Sequence, residues 1–466
     1  MKLQAQDCTE SPPETDDYRK AWWLCLSCAL FGLMLFVMPS RLPFVPVGIT
    51  SSQTGIWLCL GLLLGLWLLR TISALFGVLL VFLVMGVLGL ASITTVLKGA
   101  GNDAFLWWLG ALCMSVAARE SGLLGWLFSR ALQPWQSTPA LLKPIPSVVW
   151  LGLAFSLLPS PRHAAQWRQI VRQFLLPIRP HGRELVASAQ LCAWLAWMPA
   201  HWANLLVLAL LPADALDRFA PLLWWQQTWP MLALAVALGI YNQWKAQNTG
   251  APGNVTQTAV PTTQDAGALP SRPAARTVAG VALACVMTTM LQVWHGIGPG
   301  LISVFAIVAL FALHCITPSR LQSVTDWPLL VIASVLPGLI TLFGQSLPNF
   351  AFITGQYSVI ASRVPGIWLF SSLLLPALLC LRTLIPGRAL LLLSLVLLMA
   401  WSVQYERDML KSAIPVLVAI HWAEFLHRTQ TPGHSGWQGL KSAFLRPQAW
   451  LAYTAYFLWI KWYGWQ

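Results

Sequence analysis

Apolar runs close to the ~20 residues that a bilayer core demands follow one another along nearly the whole chain, separated by short polar and basic stretches. That repetition constrains the chain more than any single motif. A long apolar run cannot leave its backbone amides unpaired away from water, so it must be helical. Many such helices must then cover one another or face lipid. The runs predict spans near 21–38, 55–69, 74–95, 104–118, 145–158, 185–212, 220–244, 277–294, 300–317, 327–345, 365–381, 388–404, 409–426 and 447–463. The run 145–158 is short for a crossing, and 185–212 is too long and too broken for one ordinary helix. The expected fold is all-α: a polytopic membrane protein with about 11–14 membrane segments, some of them re-entrant or broken.

Charge patterning points the same way. Only 9% of the 466 residues are charged, against roughly a quarter in a soluble chain. The net charge of +13 is carried largely by short loops, as expected of cytoplasmic loops in a membrane protein. A nucleic-acid partner is excluded, because no soluble segment could present a basic face with stacking aromatics. The expected partner is the lipid bilayer, with a homodimer also open, and the expected location is a bacterial-type inner membrane. The 27 Trp fit interfacial aromatic belts. Most cysteines, Cys59, Cys113 and Cys192 among them, sit inside apolar runs, where free Cys packs as a small hydrophobe. The Cys25-x-x-Cys28 pair has no further ligands nearby in sequence. Residues 1–20 carry Asp7, Glu10, Glu14, Asp16 and Asp17, the wrong charge for a signal peptide, and read as a cytoplasmic tail.

The stretch 145–212 holds the densest helix-breaking and cationic chemistry. An apolar run ends at Pro159-Ser160-Pro161, and Arg162, His163, Arg168, Arg172, Arg179, His181 and Arg183 follow. A re-entrant hairpin over roughly 145–178 keeps these cations on one side, which a full crossing would not. Residues 246–276, rich in Gly, Pro and Thr, read as a flexible linker. They divide the chain into a first transmembrane half, 21–245, and a second, 277–466. An odd number of crossings in each half gives inverted halves, a plan of many secondary transporters.

Candidate sites follow from polar groups in apolar runs. Ser160, Arg162 and His163, with Arg168, offer positive charge and free N–H groups at a helix break, where an anion would bind; the other reading, which the residue types favour, is that the arginines are topology anchors at the cytoplasmic face. His201 and Asn204 flank Pro199 and read as substrate-binding groups or as hydrogen-bonding glue between helices. Pro337-Gly338 and, ahead of Pro376, Ser371-Ser372 are candidate substrate-site breaks in the second half, or stand at prolines that ordinary membrane helices tolerate as kinks. Arg119-Glu120 is either a buried pair or an interfacial one. Glu406-Arg407-Asp408 is either a loop or a charged hairpin tip. His421 and Glu424, one turn apart, suit a proton relay or a metal lacking further ligands. Neither a hydrolytic motif nor a phosphate-binding glycine loop is present, so neither an enzyme nor a cofactor is expected.

Three stretches resemble the divalent-anion:sodium symporters of the ion-transporter superfamily. They are Asp103–Leu127, with its charged-x-Gly-Leu turn at Glu120-Ser121-Gly122-Leu123; Leu158–Ala165, at the place of the family's hairpin tip; and 295–338, like the opening of the family's second half. The resemblance implies inverted halves with two hairpin tips and Na+ or H+ coupled symport of a small anionic solute. The family's Ser-Asn-Thr tip is not retained: Pro159, Ser160, Pro161 and Arg162 stand there. The expectation is thus a secondary transporter of a dicarboxylate-like anion. Two alternatives are an integral component of envelope polysaccharide assembly and a degenerate transporter-fold scaffold subunit.

Overall fold

The computed structural model describes residues 51–69, 73–136, 144–160, 164–168, 182–210, 221–249, 272–325, 327–346, 374–382, 385, 387–404, 409–428 and 447–462. These residues are predominantly helical, with no strand among them. In chain order the longer helices are α1 (Ser51–Leu69), α2 (Ala74–Val87), α3 (Asp103–Glu120), α4 (Leu123–Gln136), α5 (Pro144–Ser156), α6 (Gly182–Ala196), α7 (Trp202–Leu210), α8 (Pro221–Thr249), α9 (Arg272–Met290), α10 (Pro299–Ala312), α11 (Trp327–Ser346), α12 (Gly387–Gln404), α13 (Met409–Arg428) and α14 (Pro447–Trp462). The N-terminal tail, the C-x-x-C pair, Glu406-Arg407-Asp408 and 250–271 of the linker lie outside the described residues.

The all-α expectation holds, but the expectation of single-helix crossings is not met. Among the described residues no helix is both long enough and apolar enough to cross a membrane. Several predicted spans end early for local reasons. α2 stops at Val87, where Gly89 takes a left-handed φ of 62° and Leu90 N–H turns back to the Met85 carbonyl at 2.9 Å. α10 stops at Ala312, ahead of His314 with φ 54°. The Glu120–Leu123 turn ends α3, with Gly122 at φ 74°; Arg119 and Glu120 are exposed there and do not form a buried pair. One helix was missed altogether. α4 is amphipathic, burying Leu124, Leu127, Phe128 and Ala131 at helical spacing while exposing Trp126 and Arg130.

The chain bends between α5 and Trp167. Phe155 of α5 and Trp167, beyond the break, both pack on Phe128, with ring centroids 5.7 and 4.6 Å away. A straight helix would separate positions 155 and 167 by about 18 Å, too far for one ring to touch both.

Elements from either side of the linker interlock. Gly110 of α3 faces Ser303 of α10 so closely that a Cβ would overlap it, and Asp103 fills the space beside Gly298 and Gly300. Pro337, readable from sequence as a break or as a proline tolerated within a continuous helix, is the latter: α11 runs unbroken from Trp327 to Ser346. The carbonyls of Ala333 and Ser334 lie against Gly99, in the 3-10 segment Leu97–Gly101, while Gly338 sits on the carbonyls of Thr95 and Val96. Two glycines thus permit a crossing of backbone on backbone. Gly338→Ala should force the two segments apart and destabilise the fold by about 1–3 kcal/mol, seen as a lowered thermal unfolding midpoint.

Candidate functional site

The run 185–212 breaks as its length and Pro199 suggest. α6 ends at Ala196, Met198–Ala200 form a 3-10 turn, His201 is extended, and α7 begins at Trp202. A helix that stops leaves its last carbonyls without partners inside the helix. Here side chains from elsewhere supply them. Asn204 Nδ2 donates to the Trp194 carbonyl at 3.1 Å. Trp224 Nε1 of α8 donates to the Leu195 carbonyl at 2.8 Å, and Thr228 Oγ1 of α8 divides its one hydrogen between that carbonyl at 3.1 Å and the Trp224 carbonyl at 2.8 Å. Trp225 Nε1 donates to the Ala196 carbonyl. At the restart, His201 Nδ1 accepts the Ala203 N–H at 3.2 Å, acting as an N-cap. The break is built and stabilised.

Polar side chains gather where it faces α13. His201 and His421 meet edge to face with centroids 4.9 Å apart, and Trp194 packs on both rings. Arg428 lies over the Trp194 ring at 4.9 Å, a cation–π placement. It donates to Glu424 Oε1 at 2.8 Å and to Gln190 Oε1 at 2.8 Å. Arg382 reaches Glu424 from the 374–382 helix through Nε and Nη2. Two guanidinium groups against one carboxylate leave one positive charge unmatched within the triad. Glu424 is 17% exposed and Arg382 16%, so the pair is partly desolvated and depends on its hydrogen bonds.

These contacts dictate individual atoms. A backbone carbonyl only accepts, so Asn204 turns Nδ2 to Trp194 and Oδ1 to His421 Nε2, 2.6 Å away. That oxygen only accepts as well, so His421 Nε2 carries the hydrogen. In the neutral ring Nδ1 is then a bare acceptor; it is buried and has no hydrogen-bond partner among the described residues. Arginine only donates, so Gln190 turns Oε1 to Arg428, leaving its buried Nε2 likewise without a partner. Gln190 is 1% exposed and His421 fully buried.

Of the residues singled out by sequence, His201, Asn204, His421 and Glu424 come together here. Ser160 is fully buried at the turn after α5, its carbonyl accepting from Ala164 N–H at 2.9 Å. Pro337 and Gly338 sit at the α11 crossing already described. Arg162, His163, Ser371 and Ser372 lie outside the described residues. Gln190, Trp194, Arg382 and Arg428 were missed as site residues. Positions 421, 424 and 428 share one helical stripe, a legible signal for Arg428; Arg382 carries none. Among the described residues no three His, Cys, Asp or Glu side chains converge on a metal site. At the break itself, Trp197 and Pro199 also line a cleft of about 460 Å³, counted to its open mouth, with Trp107, Met114, Cys285 and Ser303.

Because Trp224 and Thr228 share one carbonyl, Trp224→Phe or Thr228→Val alone leaves that oxygen a donor. The double variant leaves none and should lose about 1–3 kcal/mol more than the two single losses combined, measurable by a double-mutant unfolding cycle. No known protein family matches the chain by its sequence profile, and no curated protein sequence matches it.

Proposed function

We propose that the chain is a membrane-embedded secondary transporter that moves a small, dicarboxylate-like organic anion by alternating access. One observation carries this reading: a surplus positive charge in the Arg382–Glu424–Arg428 triad lies beside the break between α6 and α7. An interrupted helix and fixed positive charge are what an anion needs in a medium of low dielectric. The groups come from both sides of the linker, so a relative motion of the two halves would open and close the site.

Outward-facing side chains support lipid as the surrounding solvent. α2 contains no charged residue, and Phe76, Leu79, Leu83 and Val87 form an exposed stripe along it. α10 exposes Leu301, Phe305 and Val308 while burying Ile302, Ala306 and Leu310 on its other side. A helix that is apolar all round belongs in a protein core or a membrane, and contiguous apolar patches of this kind are rare on soluble monomers. On this reading α6 and α7 make one crossing in series, with the substrate held at the junction.

The test is uptake of labelled succinate by proteoliposomes holding the purified chain, under sodium or proton gradients. Gradient-dependent uptake is expected, and Arg428→Gln should reduce it at least tenfold. Membrane fractions from which alkaline carbonate releases the chain would refute the membrane setting. Fully reconstituted protein that moves neither succinate nor inorganic phosphate would remove the transport reading.

A further inference from the structure

We infer that His421 Nδ1 is the proton-binding atom of the site, so that anion and proton bind together and the transport is proton-coupled. This rests on the anion site proposed above. The proton acceptor is picked out by the hydrogen-bond chain: the Trp194 carbonyl orients Asn204, Asn204 Oδ1 holds the Nε2 hydrogen of His421, and the Nδ1 lone pair remains buried and unshared. The neighbouring ionisable groups are otherwise engaged. Glu424 is held between Arg382 and Arg428, whose N–H groups occupy both of its carboxylate oxygens. His201 Nδ1 already accepts from Ala203 N–H. Tyr456 of α14 donates to the Pro415 carbonyl. Among the described residues His427, six residues along α13 from His421, is the remaining rival, its Nδ1 also buried without a partner there.

Charge supplies the coupling. A proton entering from solvent adds to the Nδ1 lone pair, creating a buried imidazolium on the same stripe as Arg428. Without an anion that adds positive charge to a site that already has a surplus, which is costly. An anion arriving without the proton meets a bare acceptor on Nδ1, which repels its oxygens. Together, the new Nδ1–H donates to the anion in a charge-assisted hydrogen bond, while the buried Gln190 Nε2 provides a second donor. Each ligand therefore raises the affinity for the other by the same factor.

The experiment measures succinate binding to the purified full chain by tryptophan fluorescence, with a pH indicator recording proton uptake in weak buffer. The inference predicts uptake of about one proton per succinate bound above the pH range in which the free site is protonated, and affinity falling about tenfold per pH unit there. His421→Gln keeps an amide donor for Asn204 but cannot take the proton, so it should bind weakly, with no proton uptake and a flat pH profile. His427→Gln should retain the uptake. Succinate binding by the unmodified chain without proton uptake overturns this inference and leaves the anion site standing, as does uptake that persists in His421→Gln or vanishes in His427→Gln. No succinate binding at any pH overturns both.

Discussion

Backbone carbonyls left open in an apolar interior are the constraint on which the rest of this structure depends. Where α6 stops, three carbonyls in succession would face hydrocarbon unpaired, each at a cost of several kcal/mol. Trp224, Trp225 and Thr228 from α8, and Asn204 from α7, take them instead. The break can therefore persist in the middle of the bundle, and α7 can leave α6 in a new direction. Side-chain donors on backbone oxygens recur elsewhere. Trp459 donates to the Gln227 carbonyl of α8, one turn ahead of Pro230, and Asn102 ties the start of α3 to the Ala209 carbonyl of α7.

The same interruption organises the polar cluster. Asn204 has two tasks, capping α6 with its amide nitrogen and fixing the His421 tautomer with its oxygen. Removing it would both open a carbonyl and free the ring. Trp194 joins the two sides of the cluster, supplying the carbonyl that Asn204 caps and a ring face for Arg428. The stability of the break and the chemistry of the site are thus one network, in which a change at one member is felt by the others.

Much of this was legible in sequence, for reasons that differ by element. The broken nature of 185–212 could be read because Pro199, His201 and Asn204 interrupt an apolar run that was already too long. The bend after α5 could be read from the Pro-Ser-Pro break. α4 was passed over because Arg130 and Ser129 spoil its continuous hydropathy, although its 3.6-residue period was present. Pro337 left two readings open, since a proline shows where a helix loses a hydrogen bond but not whether the helix continues. α11 continues because Gly99 and Gly338 let a neighbouring segment lie directly against it.

Sequence alone determined that the chain is helical, that it is too apolar to tolerate unpaired backbone, and that 185–212 must interrupt itself; these follow from composition and from local steric rules at proline. Only the tertiary structure decided which charges meet. Arg382 and Glu424 are 42 residues apart, Gln190 and Arg428 are 238 apart, and Asn204 and His421 are 217 apart, and no local rule relates residues at such separations. Arg382 and Arg428 read as loop cations one by one. Folding closes them around Glu424 because a carboxylate in that setting is stable only when paired.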